Sequence, residues 1–222
     1  MEITIDPLAK PRLIHHGCGL TWMKEKRAVP GASFVTSLPD FTELSALSLS
    51  EWKKWFVEAA ALVMECCPPE GVAIFYQRDS KHEGTWVEKS YLIQKAAELT
   101  GSQLLWHKIV CRAPAGQVTF GRPAYSHLLC FSRELRLPLS SATADVLASA
   151  GEATWARGMG VKACQVACRF ILDETKTRKV VDPFCGHGTV LAVAEAMGLE
   201  AEGVELGGKR AEKARSLRIS LE

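Results

Sequence analysis

The pattern of hydrophobic and polar residues changes its period repeatedly along the chain. Longer stretches with apolar residues three and four positions apart predict helices, and the clearest begins at Ser48 and stops before Pro68. Short apolar and β-branched runs bounded by Gly, Pro or Asp predict strands at 12–16, 33–37, 72–76, 104–112, 125–132 and before Asp182. Strands that alternate with helices are typical of an α/β fold with a mostly parallel sheet.

The stretch 180–206 predicts a strand, a glycine loop, a helix and a second strand in succession. Its loop contains Gly186 and Gly188, and glycine lets backbone N–H groups approach a bound cofactor closely. A dinucleotide-binding loop would carry a third glycine where Leu191 stands, which argues against a nicotinamide cofactor. Glu205 ends the second strand, where an acidic side chain can accept hydrogen bonds from both hydroxyls of a ribose.

The octapeptide at 182–189, Asp-Pro-Phe-Cys-Gly-His-Gly-Thr, resembles the cofactor loop of the S-adenosylmethionine-dependent nucleic-acid amino-methyltransferases. Members of this family carry Asp-Pro-Phe-x-Gly-x-Gly-Thr at that place. The resemblance implies that S-adenosyl-L-methionine is the cofactor. The residues that it assigns to cofactor binding in this loop and strand are Asp182, Pro183, Phe184, Gly186, Gly188, Thr189 and Glu205.

Two further segments are similar to cofactor-binding parts of the same family. The run at 17–22, Gly-Cys-Gly-Leu-Thr-Trp, resembles the Gly-Asp-x-Leu-x-Trp segment that contacts the adenine. The resemblance implies roles for Cys18 and Gly19, although Cys18 replaces the usual Asp and removes its acceptor. A predicted helix just before the glycine loop matches the helix that holds the methionine end of the cofactor, which implies roles for Met159 and Gly160.

The segment Ser37-Leu38-Pro39-Asp40-Phe41 resembles the catalytic Asp/Asn/Ser-Pro-Pro-Tyr tetrapeptide of these enzymes. By this resemblance Ser37 and a backbone carbonyl near Leu38 or Pro39 accept hydrogen bonds from a target amino group, and Phe41 stacks on the base. Asp40 offers a further acceptor or a base. The chain departs from the family pattern at Leu38 and Asp40. An ordinary strand-to-loop turn explains the same residues nearly as well.

The order of the motifs differs from that of ordinary class I methyltransferases, because 37–41 precedes 182–189. The resemblance therefore implies a circularly permuted, Rossmann-like class I methyltransferase fold. We expect an α/β structure with a mostly parallel seven-stranded sheet and an antiparallel terminal hairpin. The strand at 12–16 should then lie beside the strand that ends at Glu205, and the N-terminal arm should lie near the last helix.

The chain of 222 residues is long enough for one well-buried domain and too short for two generous ones. We expect a single domain over 1–222. Its expected parts are an N-terminal arm at 1–11, a catalytic and substrate half at 12–132, a loop at 133–153 and a cofactor-binding half at 154–222.

The net charge of +2, from 27 basic and 25 acidic residues, neither demands nor opposes nucleic-acid binding. Seven basic residues fall in predicted loops or strand ends near Ser37, where they would face phosphates or simply form a solvated surface. They are Arg78, Lys81, His82, His107, Lys108, Arg112 and Arg122. DNA-modifying relatives usually carry a sizeable recognition insertion, and none is recognisable here. We therefore expect RNA rather than DNA as the polymer.

The eight cysteines include no C-x-x-C pair, which argues against a metal site. With no signal peptide or long apolar span, they indicate reduced thiols in a cytoplasmic protein without a membrane segment. Two alternatives to the nucleic-acid enzyme stay open. One is a methyltransferase for a small molecule or protein, and the other is a degenerate cofactor-binding subunit. A homodimer or a partner subunit also stays open.

Overall fold

The computed structural model describes residues 12–156 and 158–221, and its centre is an eight-stranded sheet. Along the sheet the strand order is β1-β10-β9-β2-β3-β7-β6-β8, while β4 and β5 form a separate hairpin. The strands are β1 (Leu13–His16), β2 (Ala32–Thr36), β3 (Ala73–Gln77), β4 (Ser80–His82), β5 (Thr85–Val87), β6 (Gln103–Cys111), β7 (Tyr125–Ser132), β8 (Val146–Leu147), β9 (Lys179–Asp182) and β10 (Glu200–Glu205).

Six α-helices lie in the described residues and cover both faces of the sheet. They are α1 (Gly19–Lys26), α2 (Leu49–Cys66), α3 (Lys89–Thr100), α4 (Val161–Glu174), α5 (Thr189–Ala196) and α6 (Gly208–Ser216). The predicted start of α2 is confirmed, because Ser48 and Glu51 form a capping box that satisfies free N–H groups of the first turn. Pro68 and Pro69 follow its end, as expected for residues that cannot continue a helix.

Five neighbouring strands, from β1 to β3 along the sheet, are parallel, and β7 and β6 form the predicted antiparallel pair. β1 pairs with β10 from Leu13 opposite Glu202 to His16 opposite Glu205, so the predicted neighbourhood of these strands is confirmed. Arg12 reinforces it by donating to Glu195 (2.6 Å) and to the carbonyl of Ala214 (2.8 Å). The circular permutation itself stays a prediction, and the expected position of the N-terminal arm concerns 1–11, outside the described residues.

The sheet has eight strands where seven were expected, because β8 adds one at the edge. It forms within 133–153, a segment expected to be only a loop, and pairs in parallel with Ile109 and Val110 of β6. The outer edge of β6 offers unpaired N–H and C=O groups, and two residues are enough to pair with some of them. The polar segment at 77–84 contains β4 and the turn into β5.

Two hydrophobic cores fill the space between the sheet and the helices. Helices α1, α2 and α3 cover one face, where Phe34, Trp52 and Phe56 are fully buried. Helices α4, α5 and α6 cover the other face, whose core includes Ile171 and Leu191. None of the helices in the described ranges is long and apolar enough to cross a bilayer. The carboxyl ends of the parallel strands stay uncovered, which is where such sheets bind ligands.

Candidate active site

A cavity of about 300 Å³ opens at the carboxyl ends of β10, β9 and β2. Its wall is mostly apolar, with carboxylates at the strand ends, and its size lies at the lower end of the range for ligand pockets. Its lining brings together residues of both predicted halves of the chain, including Cys18, Gly19, Ser37, Leu38, Pro39, Met159, Asp182, Pro183, Phe184, Gly186, Thr189 and Glu205.

The glycine loop between β9 and α5 requires glycine for reasons of conformation and space. Gly186 and Gly188 have φ angles of 55° and 77°, a region that residues with a side chain rarely adopt. A Cβ atom at Gly19 would lie 2.0 Å from the carbonyl oxygen of Pro183. Gly19 therefore allows α1 to pack directly on the glycine loop. As a result, the segment at 17–22 and the loop at 182–189 form one wall of the cavity.

Asp182 ties the loop to the sheet. Its Oδ1 accepts hydrogen bonds from the Thr36 hydroxyl (2.6 Å) and from the backbone N–H of Phe184 (3.0 Å). Burial raises the pKa of Asp182 to about 7, although these two hydrogen bonds favour the ionised form. The carboxyl therefore ionises at higher pH than an exposed aspartate does, and it orients the loop through these two hydrogen bonds.

Glu205 stands at the end of β10, as predicted, and its carboxylate already accepts three hydrogen bonds. Oε1 accepts from the N–H of Gly207 (2.7 Å) and from Nε of Arg210 (2.7 Å), and Oε2 accepts from the N–H of Gly186 (3.0 Å). A carboxylate offers about four acceptor positions, so one position on Oε2 remains. Two ribose hydroxyls can both bind only if the Arg210 side chain, which is 41% exposed, moves away.

Aromatic side chains that the sequence patterns do not assign to the site line the cavity or cover the loop. Trp155 stacks on His187 with ring centroids 4.4 Å apart, and its ring lies against Gly186. On another part of the wall Trp55 packs edge to face at 6.4 Å on Phe184, the aromatic residue that the loop motif predicts. A tryptophan followed by glycines just before α4 is the sequence signal that could have indicated Trp155.

The other predicted cofactor residues occupy different positions. Cys18 lines the cavity, caps α1 and is exposed, and the backbone N–H of Thr21 lowers the pKa of its thiol. Met159 also lines the cavity, whereas Gly160 lies outside the wall. A Cβ atom at Gly160 would lie 2.1 Å from the Ala150 carbonyl oxygen, so this glycine serves packing. Gly188 likewise packs against Ala214 of α6.

The predicted catalytic segment lies after β2, at the mouth of the cavity. Ser37 borders both this cavity and a neighbouring one. The carbonyl oxygen of Leu38 accepts a long hydrogen bond from Nε2 of Gln77 (3.4 Å), and that of Pro39 accepts one from Nε1 of Trp52 (3.3 Å). Each carbonyl keeps a second lone pair, so both can still accept from an amino group.

Asp40 is unsuited to the role of a base. Its Oδ2 lies 2.9 Å from Nζ of Lys89 and 2.9 Å from the Arg122 guanidinium. Burial opposes its ionisation, but the charges and hydrogen bonds of Lys89 and Arg122 lower the pKa of Asp40 below its ordinary value. The carboxylate also caps the short 3₁₀ turn at 41–43 through the N–H of Thr42. It therefore serves as a structural counter-ion.

Phe41 does not line either cavity, so the geometry gives no support to its predicted stacking role. Its ring packs edge to face on Trp52 at 6.2 Å and on His82 at 5.0 Å. The 3₁₀ turn that follows Asp40 directs this side chain toward the α2 core. The aromatic residues that do border the first cavity are Trp55, Trp155 and Phe184.

The second cavity has a volume of about 210 Å³ and shares Ser37, Leu38 and Glu43 with the first. It is strongly cationic, and the basic residues of its lining are Arg78, Lys89, Arg112 and Arg122. Three members of the predicted basic rim, Arg78, Arg112 and Arg122, are therefore adjacent to the catalytic segment. The buried Lys89 does not belong to the predicted rim, because no local pattern marks where its side chain lies.

Four members of the predicted basic rim lie elsewhere. Lys81 packs over the Trp86 ring on the β4–β5 hairpin, and His82 contacts Phe41. His107 shares a hydrogen bond with His127 (2.9 Å), and none of these three residues lines either of the two cavities. The prediction for Lys108 was wrong, because this residue is 3% exposed on β6. Its Nζ donates to the Thr143 hydroxyl (2.6 Å) and to the carbonyl of Ala144 (2.8 Å). It anchors the segment before β8 and does not face a phosphate.

Solved methylases share this architecture. The chain matches TTHA0409 of Thermus thermophilus, a presumed DNA modification methylase, with a TM-score of 0.71 and 18% identity over 91% of this chain and 92% of the other. It matches the same protein complexed with S-adenosyl-L-methionine with a TM-score of 0.68 and 19% identity, covering 91% of each chain.

A second solved protein, the cytosine-N4-specific PvuII DNA methyltransferase, matches with a TM-score of 0.71 and 16% identity over 96% of this chain and 89% of the other. No protein-family model matches the chain, and no curated protein matches it. At these identities the likeness concerns the fold. The chain therefore has the α/β fold of the class I methyltransferases, which it shares with these solved methylases.

Proposed function

We propose that this protein is an S-adenosylmethionine-dependent methyltransferase that modifies an exocyclic amino group of a nucleic-acid base. One observation carries the proposal. The cavity bounded by the glycine loop and Glu205 meets a separate polar cavity at Ser37. A methyl donor in the first cavity and an acceptor in the second would therefore approach each other beside that hydroxyl.

The residues of the first cavity fit the proposed cofactor. Glu205 retains an acceptor position for a ribose hydroxyl, and Leu20, Trp55 and Phe184 supply apolar surface for an adenine or a methionine chain. S-adenosyl-L-methionine supplies an electrophilic methyl group when bound. Trp155 would shield the glycine loop from water, since it already stacks over the loop's histidine.

The catalytic segment would act mainly by positioning the acceptor. The Ser37 hydroxyl and the carbonyl of either Leu38 or Pro39 would accept hydrogen bonds from the two N–H groups of the amino group, which favours a pyramidal nitrogen with an available lone pair. As the new N–C bond forms, the C–S bond of the methyl donor would break and leave a neutral thioether, while the nitrogen would carry positive charge and release one proton to water. Asp40 is not needed for this step, since its carboxylate is held by Lys89 and a neighbouring arginine.

The proposal assigns different tasks to different parts of a single domain. Residues 12–132 would carry the substrate side, 154–222 would carry most of the cofactor side, and β8 would attach the intervening 133–153 to the sheet. The circular permutation is part of the proposal. It is supported by the parallel pairing of β1 with β10, which places the segment at 17–22 next to the strand that ends at Glu205.

DNA becomes the first candidate polymer within this proposal, in place of RNA. The expectation of RNA depends on the lack of a large recognition insertion. TTHA0409 is named as a presumed DNA modification methylase, yet 92% of its chain is covered by this chain of 222 residues. A short chain is therefore no argument against DNA, and the PvuII enzyme is likewise named for DNA.

The test is methyl transfer from labelled S-adenosyl-L-methionine to duplex DNA, single-stranded DNA, total RNA or a small-molecule extract. We expect label in nucleic acid as an N-methylated base, detected by nucleoside mass spectrometry. Ser37→Ala should lower kcat about ten- to a hundredfold with cofactor affinity unchanged. Label only in the extract would favour the small-molecule alternative. Cofactor binding without transfer to any acceptor would favour a degenerate subunit.

A further inference from the structure

The second cavity contains more positive charge than its carboxylates balance. Its acidic lining residues are Asp40 and Glu43, and its basic ones are Arg78, Lys89, Arg112 and Arg122. Asp40 lies 2.9 Å from both Lys89 and Arg122, so two cations share this carboxylate. Arg78 and Arg112 form no ion pair in the described part of the chain. Two guanidinium groups therefore face the cavity without an anion of their own.

The hydrogen bonds of the two guanidinium groups leave donors free. Arg78 donates through Nε (2.8 Å) and Nη2 (2.6 Å) to the carbonyl of Pro123, and Arg112 donates through Nη1 to the Tyr76 hydroxyl (3.0 Å). Both acceptors are neutral, and each guanidinium has five N–H donors. Burial lowers the pKa of Arg78, and the charges of Arg112 and Arg122 lower it further, as expected of crowded cations without an anion.

An independent observation comes from Ser126 on β7. Its side chain lines the same cavity and is fully buried, and its hydroxyl has no hydrogen-bond partner in the described residues. Buried hydroxyls almost always have a partner, so one without any, facing a cationic cavity, marks a place for a ligand acceptor. The hydroxyl can donate to an oxygen atom that the arginines also bind.

We propose that the cavity bounded by Arg78, Arg112, Arg122 and Ser126 binds one phosphate group of the substrate. Guanidinium forks match the oxygen geometry of phosphate, and a tetrahedral group has enough oxygens to accept from two arginines and a serine at once. The cavity meets the methyl-transfer cavity at Ser37. The inference rests on the proposed function, since the phosphate would belong to the nucleotide whose base reaches Ser37.

Calorimetry without cofactor tests the site directly, using inorganic phosphate, a nucleoside 5′-monophosphate and a short oligonucleotide at low ionic strength. Arg112→Gln should weaken the binding of all three ligands at least about tenfold. Arg112→Lys should give an intermediate affinity, because lysine keeps the positive charge but lacks the bidentate geometry of the guanidinium group. Ser126→Ala should weaken binding about three- to tenfold. Arg169→Gln is the matched control, since it removes an exposed arginine of α4 outside the cavity lining and should change nothing.

The results separate this site from the proposed function. Inorganic phosphate that fails to bind the intact protein, or binds Arg112→Gln and Arg169→Gln equally, overturns the phosphate site. A nucleoside monophosphate that binds no tighter than inorganic phosphate overturns its assignment to a nucleotide. Tighter binding of the oligonucleotide, lost in Arg112→Gln, supports a polymeric substrate. Cofactor binding is measured separately, so its failure would count against the methyltransferase and leave these phosphate titrations interpretable.

Discussion

Replacement of Glu205 tests the site most directly, because its carboxylate has two separable tasks. Glu205→Ala removes the acceptor of the buried Gly186 N–H and of the half-buried Gly207 N–H. A buried donor without a partner costs about 1–3 kcal/mol, so we expect the free energy of unfolding to fall by about that amount. Loss of the charge-assisted bond to ribose should weaken cofactor binding by about 1.5–3 kcal/mol, roughly ten- to a hundredfold or more.

Arg210 provides the complementary variant. Its Nε occupies Oε1 of Glu205 at 2.7 Å, where a ribose hydroxyl would otherwise bind. Because the Arg210 side chain is 41% exposed, this ion pair is worth at most about 1 kcal/mol. Arg210→Gln should therefore raise cofactor affinity, by about fivefold at most, with little change in stability. A loss of affinity in this variant would mean that Arg210 itself contacts the cofactor.

The assay is calorimetric titration with S-adenosyl-L-methionine, paired with urea unfolding of each variant. Glu205→Gln controls for shape, since it keeps one acceptor oxygen but no charge. The reasoning predicts that Glu205→Ala loses both stability and affinity. If it loses stability while the folded fraction binds the cofactor normally, Glu205 only holds the loop, and its role as the ribose acceptor is refuted.

The other predictions concern three separate groups. Asp182 has a pKa of about 7 in the folded state against 3.8 for the ordinary side chain, so the stability it contributes is complete below about pH 4 and is lost as the pH rises through 7. The whole loss is about 4 kcal/mol at about 1.36 kcal/mol per pH unit, of which unfolding at pH 5 and pH 8 should show about 2–3 kcal/mol, and Asp182→Asn should abolish it. Cys18 should be the first of the eight cysteines to react with iodoacetamide, and bound cofactor should slow this reaction. Peptide mass spectrometry that shows another cysteine alkylated before Cys18 would contradict the prediction. Asp40→Ala should destabilise the fold by about 3–5 kcal/mol in urea unfolding, because Lys89 then stays buried without a counter-ion. A normally stable variant would show that Lys89 finds another acceptor.

The cofactor side of the site could be predicted from the sequence because its determinants are local. The loop at 182–189 owes its shape to the left-handed conformations of Gly186 and Gly188, and the neighbouring strand places Glu205 at the same sheet edge. Such features are encoded by residues a few positions apart, and a family motif preserves their spacing. The strands and helices around them follow from periodicity for the same reason.

The substrate side depends on contacts between distant positions, which local patterns do not reveal. Asp40 has the sequence context of a hydrogen-bond acceptor or a catalytic base, but in the fold it meets Lys89, 49 positions later. Lys108 has the context of a surface cation, but its ammonium donates to the hydroxyl of Thr143, 35 positions later. Strand β8 has only two residues, which carry no measurable period. Only the arrangement of the sheet decides which charges meet and which face solvent.

The pairing of β1 with β10 affects how the protein can fold during its synthesis on the ribosome. His15 and Glu202, whose side chains meet at 3.0 Å, are 187 positions apart. Synthesis from the N-terminus delivers β1 long before its only sheet neighbour in the described structure. Until β10 has been synthesised, β1 has no strand to pair with. The wall of the first cavity that the segment at 17–22 and Glu205 form together cannot assemble before then. Folding should therefore be slow and late, since contacts of such long range carry a high loop-closure entropy.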